Sequence, residues 1–365
     1  MGTSKPRSPA RTAVLTALIL GAALSPVPSA PSAAAAVPVP ASASASASAS
    51  KTTAATVPAD DGARIVDETW LDASTVDLSV QSPAVAQTVK VRVRVPQGWQ
   101  RDSARTWPVV FALGGGDSAD TQATWMERTD IEDVAAQWDA LVVMPDPGQA
   151  GFTDWYNYGA FGVPAWETFH TTELRQLVER NLRGGDDRAA IGLSTGGHGA
   201  LTMAGRHPGL FRYAASYSGV LHITMPGIDS QLLLLNLPAG DAFRIWGVPW
   251  LHSANWRANN PYDLAAKLRG TGLYVSSGTT GDRGPLDPTD LSLPEAIRAR
   301  LVGGISEQLT GLTSSAFVGR LRSLGIPVTA NLYGDGWHQW AYWNREMKAS
   351  WPLVMQAVGG KKVTG

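Results

Sequence analysis

Cysteine is absent from the 365-residue chain, which excludes disulfides, thiolate zinc sites and thiol nucleophiles. An excess of charge is absent too. Thirty Lys and Arg against thirty-one Asp and Glu leave a formal charge of -1, so nothing draws the protein electrostatically to nucleic acid or to an anionic membrane surface. The six histidines lack metal-ligand spacing, and no phosphate-binding glycine loop follows the first strand, so neither metal nor organic cofactor is implied. What remains is a neutral chain with 44% hydrophobic residues and 14 tryptophans. It can bury one large core, and its aromatic rings suit sugar or acyl ligands.

Lys5, Arg7 and Arg11 precede an apolar stretch from Ala13 to Leu24, followed by the small residues Ser32 to Ala36. That is the layout of a secretory signal peptide over residues 1–36. About a dozen apolar residues are too few to span a bilayer, so export without a stable membrane anchor is expected. The alternating Ala and Ser that follow cannot build a core, and residues 37–60 read as a disordered linker. The catalytic domain is expected at 61–365.

Alternation begins near Thr75 and is clearest in Val89 to Val95, where valines face one side and basic residues the other, as in a half-buried antiparallel strand. Trp107 to Leu113, Leu141 to Pro145, Ala189 to Leu193 and Gly272 to Ser276 are apolar throughout, as strands covered on both faces should be. Helical stretches lie between them: Thr129 to Trp138, Thr168 to Asn181 and Pro261 to Leu268. The alternation predicts an α/β fold, a doubly wound, mostly parallel sheet with helices on both faces. Ligands on such sheets bind at the carboxyl ends of strands.

One of those strands runs into Gly192-Leu193-Ser194-Thr195-Gly196-Gly197 and then a helix-like run. This is a G-x-S-x-G in the strand-turn-helix setting of a nucleophile elbow, the hallmark of the α/β-hydrolase fold. Ser194 is the candidate nucleophile, and the N–H of Thr195, opening the helix, is aimed at any oxyanion formed beside it. The base and acid should follow in the order Ser, Asp or Glu, His. That order removes His170, while His198 and His207 lie in or just after the elbow's own helix. His338, in the glycine-hinged loop after Val328 to Tyr333, is the candidate base. For the acid, position just after a buried strand favours Asp282, with Glu307 its rival. Gln231 to Asn236 falls where such enzymes build lids and acyl-chain walls, although its composition reads first as a plain buried helix.

Beyond the elbow, Thr153-Asp-Trp-Tyr156, Trp166-Glu-Thr-Phe169, Tyr213 to Gly219, Trp246-Gly247 and His338-Gln-Trp-Ala-Tyr-Trp343 resemble the esterase D/antigen 85 mycolyltransferase family of secreted actinobacterial α/β-hydrolases. The resemblance carries the nucleophile to Ser194 and the base to His338. It moves the acid to Glu307, because Glu307-Gln-Leu-Thr310 matches that family's E-x-L-T. It places the oxyanion amides at Thr195 and Gly116, and Trp340 at the substrate. Two departures qualify it: Gly114-Gly-Gly-Asp117 stands where mycolyltransferases carry a trehalose-contacting D-G-L-R, and the family's disulfide is missing. The expectation is therefore a secreted serine esterase or acyltransferase acting on a small-molecule or lipid ester, with a sugar acceptor as an option. The alternatives are a true trehalose mycolyltransferase, a feruloyl or acetyl-xylan esterase, and a non-catalytic cell-envelope homologue that binds glycolipid or glycan.

Overall fold

Valines spaced two apart build one flank of the sheet. In the computed structural model, which describes residues 56–117, 119–148, 152–236 and 241–363, strands β1 (Arg64–Trp70), β2 (Thr75–Ser82) and β3 (Gln87–Arg94) pair antiparallel. Val89, Val91 and Val93 point into the core. The apolar segments lie in the interior strands β4 (Trp107–Leu113), β5 (Leu141–Pro145), the second half of β6 (Gly184–Leu193) and β8 (Gly272–Ser277), with the buried β7 (Tyr213–Tyr217) between β6 and β8 and with β9 (Thr329–Leu332) beside β8. The order is β1-β2-β3-β5-β4-β6-β7-β8-β9, and all pairs from β5 to β9 are parallel. This is the mostly parallel, doubly wound α/β-hydrolase sheet that the alternation predicted.

Each central strand feeds two cores because successive side chains point to opposite faces. Val109, Phe111 and Leu113 belong to one core, which includes Leu177 and Leu182 of the helix Arg175–Leu182, Leu201 of Thr195–Arg206, and Phe317 and Leu321 of Ile305–Ser323. Val110 and Ala112 belong to the other, with Ile131 of Ile131–Ala136 and Met347, Trp351 and Val354 of Trp340–Ala357. Helices therefore cover both faces. Among the described residues, no helix is long and apolar enough to cross a membrane.

Two expectations need adjustment. The linker expected to run to residue 60 ends sooner: Val57 N–H donates to Asn181 Oδ1 at 2.7 Å, Asp60 N–H donates to Gln176 Oε1 at 2.8 Å, and Ala59 is buried. These polar anchors are invisible to a composition argument. The expected signal peptide and the linker up to residue 55 lie outside the described residues. Gln231 to Leu234, read as part of a buried helix, lie on the helix Ile228–Asn236 with Leu234 exposed.

Glycines set the approach of the elbow to the sheet. A Cβ on Gly192 would come within 2.2 Å of Gly196 O, and one on Gly196 within 2.3 Å of Gly114 O and 2.4 Å of Leu113 O. Backbone cannot yield as a side chain does. Gly196→Ala is expected to cost about 3 kcal/mol in urea unfolding. Gly319→Ala, on an exposed helix face with nothing within 4 Å, is expected to be neutral or to stabilise by up to about 1 kcal/mol.

One buried histidine makes stability depend on pH. His170 lies among Phe152, Trp166 and Phe169, and neither ring nitrogen has a hydrogen-bond partner among the described residues. Burial pulls its pKa down from 6.5 to about 3. The unfolded chain thus takes up a proton that the folded one refuses, so this contribution to stability falls as pH drops below about 6.5. Between pH 7 and pH 5, wild type is expected to lose about 2 kcal/mol more than His170→Phe, read from paired denaturant curves. Parallel losses in the two proteins would refute this assignment.

Candidate active site

The loops after β4, β6, β7, β8 and β9 emerge at the carboxyl edge of the sheet, where α/β folds place ligands. Ser194 follows β6 directly. Its backbone sits at φ 52° and ψ −120°, a region that a non-glycine residue occupies at a cost and that marks functional turns. The tie from Ser194 N–H to Tyr217 O, at 2.9 Å, holds it there. Thr195 opens the helix Thr195–Arg206, so its N–H is among those without an acceptor inside the helix. The β4 loop lies alongside: a Cβ on Gly116 would stand 3.1 Å from Thr195 Cγ2.

His338 Nε2 is 2.9 Å from Ser194 Oγ, and His338 Nδ1 is 2.8 Å from Glu307 Oε2. A carboxylate can only accept, so the proton on the ring sits at Nδ1, and Nε2 is left as the acceptor for the serine hydroxyl. The His338 ring is further fixed by the Trp343 edge at 4.9 Å and by its own backbone N–H donating to Gly303 O. Residues 144 positions apart in the chain thus form one relay.

Glu307 is fully buried, on the helix Ile305–Ser323. Its Oε1 accepts from Gly278 N–H at 2.6 Å, Ser218 Oγ at 2.7 Å, Tyr333 OH at 2.9 Å and Ser277 Oγ at 3.1 Å. Burial alone would push its pKa up. The hydrogen bond and charge of His338, with the Ser218 and Gly278 donors, outweigh it and hold the carboxyl below its ordinary value. Gly311 permits this arrangement, since a Cβ there would meet Gly278 O at 2.1 Å. A bulkier residue would hold the helix, and Glu307 with it, away from the β8 loop.

Asp282, which position after a buried strand alone favours over Glu307, is exposed and paired with Arg300 at 2.8 Å. The chain turns outward at Gly281 (φ 72°), and its carboxylate leaves the site. Apart from the buried His170, the remaining histidines have other partners. His198 faces Asn259 O, His207 meets Glu167, His222 stacks on Tyr262, and His252 accepts from Val248 N–H. Trp340 packs edge-on against Trp125 at 5.7 Å and Trp343 at 5.3 Å, one ring removed from His338. Among the described residues no group of His, Asp and Glu could hold a metal ion.

The sequence reading missed Ser218, Ser277, Gly278 and Tyr333, the donors around Glu307, and Trp343, whose indole donates to Ser218 Oγ at 3.1 Å. All but Trp343 follow or end strands, the position that could have flagged them. Asp120 was missed as well. A Cβ on Gly115 would lie 3.4 Å from Asp120 Oδ2 and 3.7 Å from Ser194 Cβ. Burial first, and then Asp117, push this carboxyl up to about 6.

Residues 82–353 match the esterase family model. The chain is 31% identical over 233 residues to an esterase of Mycobacterium tuberculosis, covering 60% of this chain and 49% of that protein. It thus spans about half the length of that relative. It is 29% identical over 288 residues to the diacylglycerol acyltransferase/mycolyltransferase Ag85B of Mycobacterium leprae, covering 75% of this chain and 81% of the relative. The crystal structure of Mycobacterium tuberculosis MPT51 (FbpC1) shares the fold with a TM-score of 0.62 at 23% identity, over 79% of this chain and 100% of that one.

Proposed function

The chain belongs to the esterase family, and we propose that it is an exported serine esterase working through a covalent acyl-enzyme. Ser194 Oγ attacks the ester carbonyl while His338 Nε2 takes its proton, and buried Glu307 fixes the ring and stabilises the imidazolium. The N–H groups of Thr195 and Gly116 receive the oxyanion, a contribution of about 2.7–4 kcal/mol per donor in comparable sites. The proton then passes from His338 to the leaving alcohol, and water or an acceptor hydroxyl releases the acyl group. In this reading Trp340 borders the substrate, residues 1–36 direct export, and residues from about 56 onward form the catalytic domain.

The observation that carries this reading is the relay itself. A serine on a strained turn, a histidine and a buried carboxylate meet at 2.9 Å and 2.8 Å, with the carboxylate's remaining lone pairs taken by fixed donors. Such an arrangement has no evident purpose in a purely binding protein, since a buried charged relay is costly to assemble. The substitutions at Gly114 and Asp117 argue against trehalose as the acceptor and favour water or another alcohol. A fluorophosphonate probe is expected to label Ser194 stoichiometrically, and p-nitrophenyl esters to turn over. A folded protein that neither labels nor hydrolyses would leave only the binding alternative.

A further inference from the structure

A surface helix beside the base has its apolar side turned outward. Leu293–Ala299 opens with a capping box, Ser292 and Glu295, and none of its residues is buried. Leu293, Ile297 and Leu301, one face at four-residue spacing, are 75%, 52% and 55% exposed, and Val302 is 63% exposed. Between this segment and the His338 loop lies a cavity of about 370 Å³, with an apolar wall of Leu291, Ala299, Val302 and Trp337 next to His338, and with Glu295, Arg298 and Gln339 at its polar side. Its size falls in the range of small-molecule sites. Glu295 is occupied by the cap, accepting from Ser292 N–H and Oγ. Trp337 is buried, and its Nε1–H has no partner among the described residues.

Resting on the esterase reading above, we propose that this cavity is the leaving-group site and that it selects apolar alcohols, alkyl or aryl, over polyhydroxylated ones. The reasoning starts from proton transfer. In acylation the bond from Ser194 Oγ to the carbonyl carbon forms and the bond from that carbon to the alkoxy oxygen breaks. The proton taken from Oγ by His338 Nε2 goes to that oxygen, so the alcohol must depart past the imidazole. His338 is shared by the relay and by the cavity, so an alcohol leaving past its ring meets Val302, Ala299 and Leu291. Those side chains offer no hydrogen bond, so a hydroxyl set against that wall gives up water with no replacement partner, whereas an alkyl or aryl group buries apolar surface there.

The test uses two ester series, acetates of methanol, butanol, octanol and 2-phenylethanol, and ethyl esters of acids of graded length, each rate normalised to fluorophosphonate-titrated sites. In wild type, kcat/KM is expected to rise about tenfold or more from methyl to octyl acetate as methylenes are buried. Val302→Asp, on an exposed position that tolerates charge, is expected to reduce the octyl-to-methyl ratio about tenfold. The ratio along the acid series and the rate of deacylation of a common acyl-enzyme should stay unchanged. A flat alcohol series, or a Val302→Asp effect confined to the acid series or to deacylation, would overturn the assignment while leaving a labelled, active Ser194 intact. Absence of labelling and of all turnover in wild type would overturn the esterase reading instead, and this inference with it.

Discussion

Ser194→Ala is expected to lower kcat/KM for an activated ester by about 10⁶-fold, with the unfolding midpoint in urea close to that of wild type. In the proposed mechanism the loss is large because the hydroxyl is the atom that forms the new bond, and no neighbour can replace it. The N–H groups of Thr195 and Gly116 and the binding surface survive the change, so about 10³-fold acceleration over water can remain. Stability should hold because Ser194 is only half-buried, and among the described residues its side chain bonds His338 Nε2 alone, which water can satisfy. Alanine at φ 52° is no more strained than serine. Steady-state rates on preparations proven free of wild type, with circular dichroism alongside, give the answer. A loss below about 100-fold with the fold intact would mean that the hydroxyl is not the nucleophile.

How far the sequence announced this architecture depends on burial. β4, β5 and β8 were legible because strands covered on both faces are apolar without interruption, and 107–113 and 141–145 match their observed limits. β1 was not legible. It is an edge strand with Val66 and Asp67 exposed and only Ile65 buried, so it carries no alternation. The helix Ile305–Ser323 was illegible for a different reason: Thr310, Gly311, Thr313 and Ser314 are poor helix formers, and tertiary contact supplies what propensity lacks. Gly311 rests on Gly278 O, Leu221 N–H donates to Thr313 Oγ1, and Ser314 Oγ donates to Gly219 O. The elbow and His338 could be named from local motifs because each has its glycines beside it. Position along the chain could not choose Glu307 over Asp282, and only the family resemblance pointed to it, because what distinguishes Glu307 is a set of donors from Ser218, Ser277, Gly278 and Tyr333, contributed by three separate strand ends.

That difference between the two carboxylates is measurable. Glu307→Gln is expected to lower kcat/KM by about 10³–10⁴-fold, whereas Asp282→Asn should stay within about a factor of two, as expected for an exposed ion pair. The argument for Glu307 is one of proton inventory. The donors around Oε1, namely Ser218, Ser277, Gly278 N–H and Tyr333, will hold the single carbonyl oxygen of glutamine on their side. The amide NH₂ then faces His338 Nδ1. A donor opposite Nδ1 forces that nitrogen to accept, the ring proton moves to Nε2, and the imidazole can no longer take the hydroxyl proton of Ser194. The negative charge that stabilised the imidazolium is gone as well. Fluorophosphonate labelling should slow in parallel, because it depends on the same deprotonation. Asp282 has no such lever: its carboxylate is on the surface with Arg300, where removing one charge alters little. Comparable losses in the two variants, or a larger one at Asp282, would show that the histidine is oriented by something other than Glu307.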